Sequence, residues 1–185
     1  MALAAAREIA EKDGLRGLKA RRISREIGYT VGTLYNVFSN LDDLIIHLNG
    51  TTLDALYESC AQAPLEDEPE AALRTLARAY IRFTSSHPNL WGMLFEPTAP
   101  HGEKLPDWYH EKVRALFGLA EQALASFFPD GQEEQRRHSA RVLWSGLHGI
   151  CSLARAGALA KSESETTMAD SLITNYVAGL RQAAP

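Results

Sequence analysis

Apolar side chains recur at three- and four-residue steps along most of this chain, and no stretch keeps the strict alternation of a half-buried strand. Leu3, Ala6, Ile9 and Ala10 mark a first helix, which Asp13-Gly14 ends. A short second helix is expected over about 19–27, with Ile23 and Ile27 inward and Gly28 closing it. A third begins after Thr30, whose hydroxyl suits it to accept an unpaired first-turn amide, and carries Val31, Leu34 and Phe38 on one side. A fourth follows Asn40, whose side chain can cap the amide of Asp43. Asp42 and Asp43 fall in its first turn, where the helix dipole favours negative charge. Its buried stripe continues through Leu44, Ile45, Leu48, Leu56 and Cys60.

The charged stretch from Pro64 to Pro69 is the expected hinge between a head and a body. Beyond it, 69–86 reads as a helix with Leu73, Leu76, Ala77, Tyr80, Ile81 and Thr84 on one stripe. His87-Pro88 ends that helix, because the residue before proline avoids the α region. A short apolar piece follows over 89–95, and three prolines and a glycine make 96–106 a loop. Further helices are expected over 107–128, 133–156 and 167–181. The fold class is therefore all-α, with about nine helices: a helix-turn-helix head over residues 1–48 and a helical body over 49–185.

Composition narrows the picture. A chain of 185 residues with 45% hydrophobic side chains can bury a core without staples. Its two cysteines, Cys60 and Cys151, have no ligand-like spacing, which excludes a disulfide framework or a cysteine zinc site. No apolar run approaches the roughly 18 residues of a membrane span, and no charged leader precedes an apolar stretch, so a cytoplasmic protein is expected. A net charge of −4 argues against indiscriminate coating of nucleic acid. The charge is unevenly placed, however. Residues 16–40 hold Arg16, Lys19, Arg21, Arg22 and Arg25 against Glu26 alone, a net +4, while residues 48–185 carry −5. Such asymmetry is the footprint of a small nucleic-acid-binding head on an acidic body.

The two short helices around Gly28-Tyr29-Thr30 form a helix-turn-helix pattern. A major groove admits one helix, whose first turn reaches base edges, and small residues there let the backbone approach the phosphates. Residues Ile23-Ser24-Arg25-Glu26-Ile27-Gly28-Tyr29-Thr30-Val31-Gly32-Thr33-Leu34-Tyr35-Asn36-Val37-Phe38, followed by Asn40 and Asp42-Asp43-Leu44, resemble the DNA-binding head of the TetR (tetracycline-repressor-like) family. The resemblance covers about residues 1–48, and Gly-Thr-Leu-Tyr-x-x-Phe is its signature. It implies that Thr33 and Tyr35 touch phosphate or bases, with Asn36 in the same interface. It also implies that Thr30 caps the recognition helix, that Gly32 permits close approach, and that Lys19, Arg21 and Arg22 reach phosphates. Three positions depart from the family's pattern: Val31, Val37 and Leu41 stand where polar or cationic residues are usual. Each removes a charge or hydrogen bond from the interface, although Val31 can meet a thymine methyl.

The family resemblance further implies a homodimeric repressor whose body binds a small ligand and sets the spacing of two heads on a palindromic operator. Within the body, Trp144-Ser145-Gly146-Leu147-His148-Gly149-Ile150, preceded by Pro106-Asp107-Trp108-Tyr109, resembles a subgroup with a Trp…His-Gly segment on its eighth helix. Gly146 and Gly149 each cost about 1 kcal/mol of helix propensity against alanine, which makes sense where another helix approaches closely. A twofold interface through the helices near 133–156 and 167–181 is the preferred reading, with packing inside one chain as its alternative. Tyr80, Phe83, Trp91, Met93, Phe95, Trp108, Phe117 and Trp144, with His148, Tyr109 and Cys151 as polar handles, are the candidate lining of a pocket for a small, largely apolar effector. A metal site at His101, Asp107, His110 and Glu111 is disfavoured, because adjacent residues on a helix point apart. No glycine-rich phosphate loop, His-Glu-x-x-His or nucleophile elbow is present, so neither an enzyme nor a cofactor is expected. The alternative function is a helical small-molecule sensor or interaction protein with weakened DNA binding.

Overall fold

The computed structural model describes residues 1–64, 66–96, 104–160 and 162–183. Among these, nine α-helices and two single 3-10 turns account for all regular structure, and there is no strand. The helices are α1 (Ala2–Asp13), α2 (Ala20–Glu26), α3 (Val31–Tyr35), α4 (Leu41–Ala61) and α5 (Pro69–Ser86). They continue with α6 (Pro88–Met93), α7 (Asp107–Ala123), α8 (Glu133–Arg155) and α9 (Glu165–Ala183). No described helix is long and apolar enough to cross a membrane. Most of the loop expected over 96–106 lies outside the described residues.

Packing divides the chain into two compact units, residues 1–55 with 86–112, and residues 56–85 with 113–185. The first unit thus gathers α1, α2 and α3, most of α4, all of α6 and the first turns of α7. Its core is Ala6, Ile9, Ala10, Leu18, Ile23, Leu34, Phe38, Leu44, Ile45, Leu48, Leu90 and Met93. These come from four local patterns, each with i, i+3 or i+4 spacing, closed over by Leu90 and Met93 of α6. Pro88 opens α6, where its missing amide costs no hydrogen bond. Asn49, buried on α4, donates to the Met93 carbonyl at 3.3 Å and ties the end of α6 down.

The start of α7 packs on α4 inside this unit. Trp108 lies so close to Gly50 that a Cβ there would sit 2.6 Å from its ring, which explains a glycine in the middle of a long helix. His47 fills the space between Phe38 and Trp108, with ring centroids 5.6 and 5.1 Å away.

The second unit is built on α5, the rest of α7, α8 and α9, with α8 and α9 closely paired. The two glycines of α8 have different surroundings. A side chain at Gly146 would meet Leu172 of α9 at 2.7 Å, whereas nothing lies within 4 Å of one at Gly149. Close packing at Gly146 is therefore within one chain.

Boundaries differ from expectation most clearly at the end of α7 and the start of α9. Helix α7 stops at Ala123, and its last turn tightens into a 3-10 turn, Ala125–Phe127, which leaves Leu124 fully buried. Helix α9 begins two residues early at Glu165, because the Ser164 hydroxyl accepts the Thr167 amide at 3.1 Å.

Candidate nucleic-acid interface and effector cavity

Helix α2 packs Ile23 and Ser24 inward and ends at Glu26, with Ile27 as its C-cap. Gly28 then adopts φ +72, a conformation costly for any side chain, and the Tyr29 amide returns to the Ser24 carbonyl at 2.9 Å. Thr30 sits extended at the start of α3, and its hydroxyl accepts the Thr33 amide at 3.2 Å. Its oxygen is also 3.0 Å from the Thr33 hydroxyl, so the two threonines brace each other. Leu34 and Phe38 anchor α3 to the core, which turns Gly32, Thr33, Tyr35 and Asn36 outward. Val31 is half-buried. Past the helix, Asn40 caps Asp43 at 2.8 Å, and Asp43 reaches back to the Ser39 amide at 2.8 Å. The recognition helix is thus capped by a side chain at its start, and the next helix, α4, is capped by Asn40 and Asp43 at its own.

Of the expected basic contacts, Lys19 and Arg21 are exposed. Arg22 is half-buried and pairs with Asp13 at 2.6 Å, so part of the +4 patch is neutralised by the scaffold. Two residues outside the expected set also stand out on this face. Tyr29 is 54% exposed in the turn and Val37 is 74% exposed after α3. Their signal in the sequence was a bulky side chain at a position the core pattern skips.

A cavity whose outline, adjoining open solvent included, takes in roughly 620 Å³ lies within the second unit. Cys60 comes from α4, Leu73, Leu76, Ala77 and Tyr80 from α5, and Leu116, Leu119 and Ala120 from α7. Leu143, Trp144 and Leu147 of α8, with Ala169, Leu172 and Ile173 of α9, complete the lining. Behind it, His148 stacks on Trp144 with centroids 5.0 Å apart and planes 23° from parallel, and Phe117 meets the same indole edge-on at 5.4 Å. The Tyr80 hydroxyl lies 3.4 Å from His148 Nδ1, and the Ser152 hydroxyl 3.3 Å from Nε2. Burial pulls the His148 pKa below its usual range, which keeps the ring neutral. Burial pushes the Cys60 thiol up to about 12 despite the nearby Arg82, and the Cys151 thiol up to about 11 despite a hydrogen bond from Thr84.

Of the aromatic set expected to line a pocket, Tyr80 and Trp144 do so, and Phe117 and His148 support them. Phe83 and Cys151 are buried in the same unit. Trp91, Met93, Phe95, Trp108 and Tyr109 belong to the first unit, and none of them lines this cavity. Met93 is core, Trp91 meets half-exposed Phe95 edge-on, and Trp108 seals Gly50 and His47. Hydrophobicity marks all of these positions alike, and only the docking of α6 and α7 onto α1 and α4 assigns them to the head. The aliphatic lining has the spacing of any core stripe, so nothing in the sequence marks it as a cavity wall. Along the same walls, Arg74 of α5 pairs with Glu70 at 2.9 Å and Asp170 of α9 at 3.0 Å, while Arg181 pairs with Glu68 at 2.8 Å. Among the described residues no group of three or more His, Cys, Asp or Glu gathers as a metal site, and His101 lies outside them.

An all-helical chain with a capped helix-turn-helix and a separate cavity-bearing unit defines a class of helix-turn-helix regulatory proteins. Residues 2–48 match the family described as bacterial regulatory proteins, tetR family, and residues 73–176 match the tetracyclin repressor-like C-terminal domain. The chain belongs to this TetR family of transcriptional regulators. It is 26% identical over 181 residues to the uncharacterized HTH-type transcriptional regulator YobS of Bacillus subtilis (strain 168), spanning 97% of this chain and 91% of that one. Among solved structures it resembles a protein of unknown function from Rhodococcus sp. RHA1, with TM-score 0.79 and 23% identity over 96% and 92% of the two chains. It also resembles the regulator FadR of Bacillus subtilis in complex with stearoyl-CoA, with TM-score 0.71 and 14% identity over 96% and 97%. At these identities the structural likeness is one of fold.

Proposed function

We propose that the protein is a ligand-responsive repressor that holds a palindromic operator and is released by a small, largely apolar effector. Residues 1–48 serve as the DNA-binding domain and 49–185 as the ligand-binding and dimerisation domain, in the cytoplasm. The observation that carries the DNA-binding half is the outward row of Thr33, Tyr35 and Asn36 beside the cap Thr30 and Gly32, on a helix anchored by buried Leu34. Lys19, Arg21 and Arg22 supply phosphate contacts, and Val31 meets a thymine methyl. The cavity carries the effector half, with Tyr80, Trp144, Phe117 and His148 as its aromatic side and the Trp144…His148-Gly149 segment as the mark of a family subgroup.

Dimerisation through the outer faces of α8 and α9 follows from Val142 and Leu153, 40% and 48% exposed, flanking open Gly149. The effector can lower operator affinity only by binding the DNA-incompetent arrangement better. No catalytic step is assigned.

The test is retention of duplexes selected from the source genome, titrated with salt. Sequence-specific retention with a negative salt slope supports the proposal, and equal affinity for scrambled duplex removes it. Hydrogen bonds to charged groups contribute about 1.5–3 kcal/mol, so Tyr35→Phe and Thr33→Ala should each weaken retention about tenfold or more. Val37 exposed after α3, Leu41 in a position without charge, and Arg22 held by Asp13 favour a second reading, a sensor with weakened DNA binding. Effector binding without operator retention would establish it.

A further inference from the structure

The walls of the cavity differ from those of an anion or cation site in one respect. Among the described residues that line it, none has a charged side chain, and Tyr80, Trp144 and Cys60 are the polar ones. The Cys60 thiol is neutral at physiological pH because burial outweighs Arg82. The group behind Tyr80 and Trp144 is His148, itself kept neutral by burial. The charged groups along α5 and α9, Arg74, Arg78 and Arg181 with Glu68, Glu70 and Asp170, pair with one another as equal numbers of each sign, so they offer the interior no unbalanced charge. An ion moved into such a site gives up its hydration and finds no counter-charge, whereas an uncharged molecule gains from contact with the aliphatic walls.

We propose that this cavity takes an uncharged molecule, an apolar skeleton with one hydrogen-bonding group, seated on Trp144 with that group at the Tyr80 hydroxyl. The inference rests on the effector reading above and narrows it to a charge class. A carboxylate, an ammonium or a molecule that must bring phosphates inside is rejected by the lining itself. A hydroxyl or carbonyl meets Tyr80, whose oxygen both donates and accepts, and joins the neutral chain through His148 to Ser152. Tyr80 is then the residue that sets preference between a bare hydrocarbon and its alcohol.

Calorimetry on the full chain with matched probes tests this. One set is 2-naphthalenemethanol, 2-naphthoate, 2-naphthylmethylammonium and naphthalene, and another is octanol, octanoate, octylammonium and octanoyl-CoA, all at pH 7.5. At least one alcohol should bind, at least about thirtyfold tighter than every charged member of its set. A charged member that binds as well as its alcohol overturns the proposal, and so does failure of all eight to bind. In Tyr80→Phe, 2-naphthalenemethanol should fall severalfold toward naphthalene; an unchanged ratio in the folded variant overturns the Tyr80 contact, and the wild-type series stands without it. Operator retention measured with the same alcohols separates the two readings. Tight binding that leaves retention unchanged removes the effector role and keeps the charge preference.

Discussion

Thr30 shows how much one side chain decides in the head. Its hydroxyl satisfies the Thr33 amide and touches the Thr33 hydroxyl, so it orders the first turn of a helix only five residues long. Replacing a threonine cap by alanine costs about 0.5–2 kcal/mol. Thr30→Ala should lower the unfolding free energy from urea denaturation by that amount and weaken operator retention more than stability alone explains, which paired denaturation and binding curves would show. Both Thr30 and Asn40 were legible as caps because capping is local chemistry, an oxygen three residues before an unpaired amide. Arg22 was not legible in the same way. Its charge reads as available along the chain, and only the fold brings Asp13 to it.

At the scale of elements, α8 carries the clearest division of labour. Gly146 faces α9 and Gly149 faces open space, although the sequence presents them as a pair. Gly149→Ala should gain up to about 1 kcal/mol of helix stability in the isolated chain, since the new methyl meets nothing. If the outer face of α8 joins a second copy, the same methyl should weaken the dimer, and sedimentation at several concentrations reads this directly. Gly146→Ala should instead push Leu172 toward the cavity that it lines, and reduce effector affinity while leaving the fold in place. Helix existence was legible nearly throughout, because apolar periodicity is strong in every segment. The ends of α7 and α9 were not, since a 3-10 turn that buries Leu124 and a serine cap at Ser164 depend on what the helix meets. The same limit separated Trp108 from Trp144: both sit on amphipathic helices, one sealing Gly50 and the other lining the cavity.

For the whole molecule, pH is the variable that the buried groups control. His148 is held below its ordinary value by burial, so the folded chain keeps the ring neutral while the unfolded chain takes a proton near 6.5. The unfolded state therefore binds more protons in that window, and stability is full above about 6.5 and falls as pH drops through it. Urea midpoints should decline between pH 7.5 and 5.5, and His148→Gln should flatten the decline. Glu70 and Glu133, held low by Arg74 and by backbone amides respectively, add their losses only below the usual carboxylate value. Glu165, raised by burial, works in the opposite direction. The fold class and the recognition helix could be read from sequence because each is written in contiguous residues. The cavity could not, because five helices contribute to it and no one of them announces which neighbour it faces.

The docking of α6 beneath α1 bears on how such proteins can be recombined. A chimera that exchanges only residues 1–48 would carry Ile9, Ala10 and Leu48 away from Leu90 and Met93, the two side chains that close their core. The transferable module is a discontinuous one, and a graft that respects it must move the 86–112 segment together with the head.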